Sequence, residues 1–139
     1  MMGTSIRPEI STKSKYWIDK HRHYELKHLC LQYPVWKRKY LTYDSIIKSS
    51  CYERVRSGNN IYDPTATYVE KRMYYSDKMH MIEKAARETD EHLSDYILKA
   101  VTEGLSYTYL KNILQMPCGK DLYYDRYRKF FWILNGLRG

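Results

Sequence analysis

The sequence predicts an all-α protein, with a helical N-terminal hairpin and a long helix followed by a C-terminal helix-turn-helix. Three observations carry that expectation. Apolar residues recur at helical spacing through most of the chain. Pro34, Pro64 and Gly104 stand where helices should start or stop. In the last third, a medium, a short and a longer helical pattern are separated by a glycine and by a tight turn.

Residues 1–14 show no periodicity and read as a flexible arm. A helix is expected from near Tyr16, with Leu26, Leu29 and Tyr33 on one face. Tyr33-Pro34 reads as a break, because proline lacks an amide donor yet suits the first turn of a new helix. Trp36, Tyr40, Tyr43 and Ile47 then form the stripe of a second helix. Ser49, Ser50, Ser57, Gly58, Asn59 and Asn60 favour turns, so 49–62 is expected to be a mobile connection. Asp63-Pro64 is a helix-start pair, and a long helix should run to about Glu88 on Tyr75, Met79, Ile82 and Ala86. The region 15–88 is thus expected to serve dimerisation or partner contact.

The segment 89–139 should form the helix-turn-helix domain. Thr89 or Asp90 can cap a helix that buries Leu93, Ile97, Ala100 and Val101. Gly104 can end it at a positive φ, and Ser106 can cap a short helix with Tyr107, Leu110, Ile113 and Leu114 as apolar positions. Met116-Pro117-Cys118-Gly119 reads as the turn. The last helix is expected from Lys120 to about Asn135, facing inward through Tyr123, Tyr127, Phe130, Phe131 and Leu134. Lys120, Tyr124 and Arg128 should share its opposite side, flanked by Arg126 and Lys129. These five, with Lys111 on the bracing helix, are the expected DNA-binding residues, since lysine and arginine donate to guanine edges and phosphates.

Charge agrees with such a partner. A net charge of +8 over 139 residues suits a polyanion, because cationic side chains displace counterions from phosphates. The 43% hydrophobic fraction supports a modest core, and no apolar run is long enough to span a bilayer. The N-terminus lacks the apolar centre of a signal peptide, and three widely spaced cysteines suit reduced thiols, so a cytoplasmic location is expected. Tyrosine is abundant, with 16 copies against 2 phenylalanines, which suits core edges, interfaces and phosphate or base contacts. Trp36, Tyr40 and Tyr43 offer more apolar surface than one thin layer buries. They are the expected interface residues of a homodimer.

Other chemistry finds little footing. His21, His23, His28 and Cys30 crowd one helix, but His23 and Cys30 point away from the face shared by His21 and His28, so no metal is expected. Cys118, near a helix N-terminus, can have a depressed thiol pKa, yet no histidine adjoins it and it reads as a turn thiol. No nucleotide-binding, hydrolase or zinc-protease motif occurs, so neither catalytic residues nor a cofactor are expected. Glu83, Glu88, Asp90 and Glu91 are explained by helix-end electrostatics.

The segment AVTEGLSYTYLKNILQMPCGKDLYYDRYRKFFWIL resembles the C-terminal half of small phage and prophage proteins of Gram-positive bacteria, akin to the ArpU- and RinA-type late transcriptional regulators. KYWIDKHRHYELKHLCLQYPVWKRKYL resembles the leader of such proteins. The resemblance implies a sigma-region-4-like helix-turn-helix and a phage promoter as target. It departs at Pro117 and Cys118 in the turn and in the tyrosines of the last helix. The expected function is a sequence-specific, DNA-binding phage-type regulator that acts on double-stranded DNA. In that reading the N-terminal helices serve dimerisation or RNA polymerase contact. The alternative is a small phage-encoded inhibitor of a host defence nuclease, of the anti-CRISPR kind, or a structural phage component.

Overall fold

A computed structural model of the chain describes residues 14–57 and 64–139, and the side chains of 14–49 and 66–139. The elements are α1 (Lys20–Leu31), α2 (Tyr33–Ser57), α3 (Pro64–Thr89), α4 (Ser94–Glu103), α5 (Tyr107–Asn112) and α6 (Lys120–Arg138). No strand occurs among the described residues, so the protein is all-α. The expected arm up to residue 13, the expected cap at Asp63 and the stretch 58–62 lie outside the described residues.

Helix α1 starts at Lys20 rather than near Tyr16. Asp19 caps it, its carboxylate accepting from the His21 amide at 3.0 Å. Before it, Ser14 holds a turn: its hydroxyl accepts from the Tyr16 amide at 3.1 Å and its carbonyl from the Trp17 amide at 3.2 Å. A short polar side chain that bonds its own neighbours competes with the first helical turn, which delays the helix. The break comes at Gln32, one residue before the expected Tyr33-Pro34. The α1 residues that are buried are His23, Leu26 and Cys30. Of the expected stripe, Leu26 is buried whereas Leu29 and Tyr33 are half-buried.

Helix α2 runs on through Ser57, so the first part of the expected 49–62 connection is helical. Helix α3 starts at Pro64 as proline at a first helical position allows, and ends at Thr89.

The chain divides into two units. One joins residues up to Gln32 with Met81–Gly139, and the other is Tyr33–His80. In the first, α1 packs on α4 and α6, and α4 packs on α5 and α6. The packing therefore departs from the expected division into 15–88 and 89–139, because α1 shares a core with the C-terminal helices. Leu26, Ile82, Ile97, Leu110, Phe130 and Leu134 have no exposed surface. Arg22 adds a polar tie between α1 and α6, donating from Nε to Asn135 Oδ1 at 2.6 Å.

In the second unit, α2 and the 64–80 part of α3 meet through large rings. Tyr43 stacks on Tyr68 and Tyr75, with centroids 5.8 and 6.2 Å apart. Arg72 pairs with Asp44 at 2.7 Å. Among the described side chains of this unit only Trp36 and Ile47 are buried.

Candidate nucleic-acid interface

The C-terminal helices are set by local chemistry at each junction. After α3, the Asp90 carboxylate accepts from the amides of His92 and Leu93 at 2.9 and 3.1 Å, which turns the chain into α4. The other expected cap, Thr89, instead donates its hydroxyl to the Ala85 carbonyl within α3. Gly104 closes α4 with φ 70° and ψ 33°, a left-handed conformation that costs glycine little, and its amide bonds to the Ala100 carbonyl. Ser106 caps α5, accepting from the Tyr109 amide at 3.1 Å.

The turn between α5 and α6 is held from both sides. Gln115 takes φ 57°, a left-handed residue that is not glycine. The Met116 amide returns to the Leu110 carbonyl at 3.0 Å, and Met116 and Cys118 are buried as plugs. Lys111 Nζ donates to the carbonyls of Met116 and Cys118 at 3.4 and 3.1 Å. The cation expected to meet phosphate thus braces the turn that launches α6. Burial pushes the Cys118 thiol pKa up despite the nearby Lys111 and Arg126, which reverses the depressed value expected at a helix N-terminus.

On α6, Tyr123, Phe130, Phe131 and Leu134 are buried and Tyr127 is half-buried. Advancing 100° per residue from that stripe, Lys120, Tyr124 and Arg128 lie along its flank rather than opposite it. The side directly opposite carries Asp121, Asp125, Lys129 and Trp132. Lys120 is exposed, whereas Tyr124, Arg128 and Lys129 are half-buried. Tyr124 belongs to a tyrosine cluster, with its ring 5.1 Å from Tyr123, 6.2 Å from Tyr107 and 6.3 Å from Tyr127. The cluster lines a cleft of about 360 Å³ together with Lys27, Leu31 and the Gly104 turn. The cleft escaped the sequence reading because its walls come from helices remote in sequence.

Arg126 is committed elsewhere. Its Nε donates to Asp90 Oδ2 at 2.9 Å and its Nη1 bonds the Asp125 carboxylate, which pins α6 to the α3–α4 turn. Burial raises the Asp90 pKa, but the hydrogen bonds from Arg126 and from the Leu93 and His92 amides outweigh it and hold the carboxyl below its usual value. Arg126 is correspondingly raised, first by its bond to Asp90. Ile113, expected in the core of the short helix, is 61% exposed, because α5 ends at Asn112 and the chain turns away.

The expected interface residues divide as well. Trp36 is buried, Tyr43 spends its ring on Tyr68 and Tyr75, and Tyr40 is half-buried. Trp36 is therefore already covered within the chain.

His23 and Cys30 are buried on the inner face of α1, while His21 and His28 are exposed. Among the described residues no three His, Cys, Asp or Glu side chains are grouped to hold a metal ion. His23 lies edge-on to Phe131 with centroids 4.8 Å apart, and burial, then Lys27, lowers its pKa to about 4. No helix is long and apolar enough to cross a membrane among the described residues.

Charge is distributed in a way the overall figure conceals. Residues 89–139 carry seven Lys or Arg and six Asp or Glu, so seven of the eight net positive charges lie in 1–88. Compared with family models, curated proteins and solved structures, the chain gives no match.

Proposed function

We propose that the chain is a sequence-specific DNA-binding protein, a phage-type transcriptional regulator that reads duplex DNA through α5, its turn and α6. The observation that carries this is the exposed start of α6 on a fixed base. Lys120, Asp121 and Leu122 are exposed, the turn before them is clamped by Lys111, and the helix behind them is anchored by Phe130, Phe131 and Leu134. A helix held so and presented at its N-terminal end has the form of a recognition helix, and the major groove is wide enough to admit it. Lys120 and Arg128, with Tyr124 between them, and Lys129 on the outer side are the candidate cations left to reach bases or phosphates. Arg126 and Lys111 act as positioning residues in this reading.

Titration against a library of duplexes at low salt tests it. A preferred subset should emerge, and Arg128→Ala should weaken binding to that subset while leaving the helix content unchanged. A lost guanine contact costs about 1–3 kcal/mol and relaxes one position, whereas a lost phosphate contact weakens all sequences alike. Binding to paired half-sites as a homodimer belongs to the same reading. Light scattering at tens of micromolar, roughly the range well above common dimer constants, should show twice the monomer mass.

A second reading, a protein-binding inhibitor or a contact with host polymerase, is favoured by Trp132, which is 47% exposed, and by Ile113. Exposed large apolar side chains suit the centre of a protein interface. Absence of duplex binding would transfer the proposal to that reading.

A further inference from the structure

The positive charge that a DNA-binding protein needs lies largely outside the segment expected to read DNA. The second unit, 33–80, holds nine Lys or Arg against five Asp or Glu. Five of its described cations fall into two groups, while Lys37 and Arg38 are exposed on α2. In one, Asp44 bonds Arg72 at 2.7 Å and Lys48 at 2.9 Å, so the cations are neutralised.

In the other group the cations sit on rings. Lys39 Nζ lies 5.9 Å from the Tyr75 centroid, Lys71 lies 5.7 Å from Tyr43, and Lys78 lies 5.3 Å from Trp36 and 4.8 Å from Tyr74. Among the described residues no carboxylate is within ion-pair distance of these three lysines. The difference is physical. A carboxylate cancels an ammonium charge, whereas a ring face holds the ammonium in place through its quadrupole and leaves the charge uncancelled. Lys39 and Lys71 are exposed and Lys78 is half-buried, so they form an outward row of positioned charges from two helices. Lys71 and Lys78 are seven residues apart on one flank of α3, about 10 Å at 1.5 Å per residue. That separation is on the scale of neighbouring phosphates of one DNA strand.

We propose that this seam of α2 and α3 binds the phosphate backbone of duplex DNA, without reading its sequence, and supplies much of the salt-dependent affinity. The inference rests on the DNA-binding reading above and assigns the electrostatic part of it to a surface remote in sequence from α6. Each phosphate neutralised contributes about 0.9 to the slope of log affinity against log salt.

The test compares the full-length protein with K39Q/K71Q/K78Q, with K39R/K71R/K78R, and with the charge-matched control K20Q/K84Q/K99Q. Binding to fluorescein-labelled duplexes of several unrelated sequences is followed by anisotropy across a salt series. Circular dichroism confirms equal helicity. The glutamine seam variant should lose at least about tenfold in affinity at low salt on every sequence, and its slope should fall by about two to three units. The arginine variant should keep the slope, since the cation and the ring contact are both retained, and the control should change by less than about threefold. Equal losses in the seam variant and the control would overturn the seam while leaving DNA binding intact, as would an unchanged slope. No binding of the unaltered protein to any duplex at low salt would overturn both.

Discussion

The two units of this chain use the same residue types for opposite ends. In the first, tyrosines and phenylalanines of α6 turn inward, and Tyr123, Phe130 and Phe131 are buried with Leu26 and Ile97. In the second, tyrosines lie at the edge of a helix pair, where they stack on one another and carry lysines on their faces. The first unit is stabilised by removal of apolar surface from water, which is worth about 25 cal/mol per Å². The second buries only Trp36 and Ile47 among its described side chains, so ring contacts and the Arg72–Asp44 pair tie α2 to α3. A region of few buried apolar contacts opens first. Composition alone does not place a tyrosine in a core or on a helix edge; its helical phase does.

The first unit should be the most sensitive to loss of a buried ring. Phe130→Ala should cost about 3–5 kcal/mol in urea unfolding, because a fully buried ring leaves a cavity on three packed helices. Asp90→Ala comes next, at about 2–3 kcal/mol, since it removes the bonds to two amides and leaves Arg126 only Asp125 of its own helix. A cost under about 0.5 kcal/mol would show that Asp90 does not tie α6 to the α3–α4 turn.

The pH dependence should also report on the first unit. His23 has its pKa lowered in the fold to about 4, so between there and its ordinary 6.5 the unfolded chain takes up a proton that the folded chain refuses. Stability should therefore fall as pH drops from 6.5 toward 4, by on the order of 2 kcal/mol, and be flat for this group above 6.5. His23→Phe should flatten that window. An unchanged slope in the variant would remove His23 as its cause.

The second unit should show smaller effects. Tyr43→Ala should cost about 1–2 kcal/mol by loss of two stacked neighbours. Amide exchange should speed up across 33–80 first, while the amides of α6 stay protected. Exchange that accelerates equally in both units would show that they unfold together. Lys99→Ala, at an exposed position on α4, should cost under about 0.5 kcal/mol.

Much of the C-terminal half was legible because its signals are local. Gly104, Ser106, Leu110, Phe130 and Leu134 each declare a stop, a cap or an inward face within a few residues of themselves. Pro64 declares a start in the same way. What stayed hidden depends on partners far along the chain. Arg126 is neutralised by Asp90, 36 residues away, so it read as a free cation in the sequence. The core contact of α1 with α4 and α6 has no local mark. Ile113 satisfies the apolar spacing of a short helix but falls one residue past its end, where the left-handed Gln115 redirects the chain. The flank of Lys120, Tyr124 and Arg128 is hard to tell from the opposite face in the sequence, because the tyrosine stripe is broad and Tyr124 lies on its shoulder. The uneven charge could have been found by counting, since the excess in 1–88 is visible without coordinates.

The most direct measurement of the division between the units pairs two variants on two DNAs. The protein, Arg128→Ala and K39Q/K71Q/K78Q are each titrated against a duplex selected from the library and against its scrambled counterpart, at two salt concentrations. Arg128→Ala should lose preference for the selected duplex, by a factor of roughly 5–150 for about 1–3 kcal/mol, and keep most of the salt slope. The lysine variant should keep the preference and lose about two to three units of slope. If both variants lost preference and slope in the same proportion, or if the unaltered protein treated the two duplexes alike, the assignment of reading to α6 and of charge to the α2–α3 seam would be contradicted.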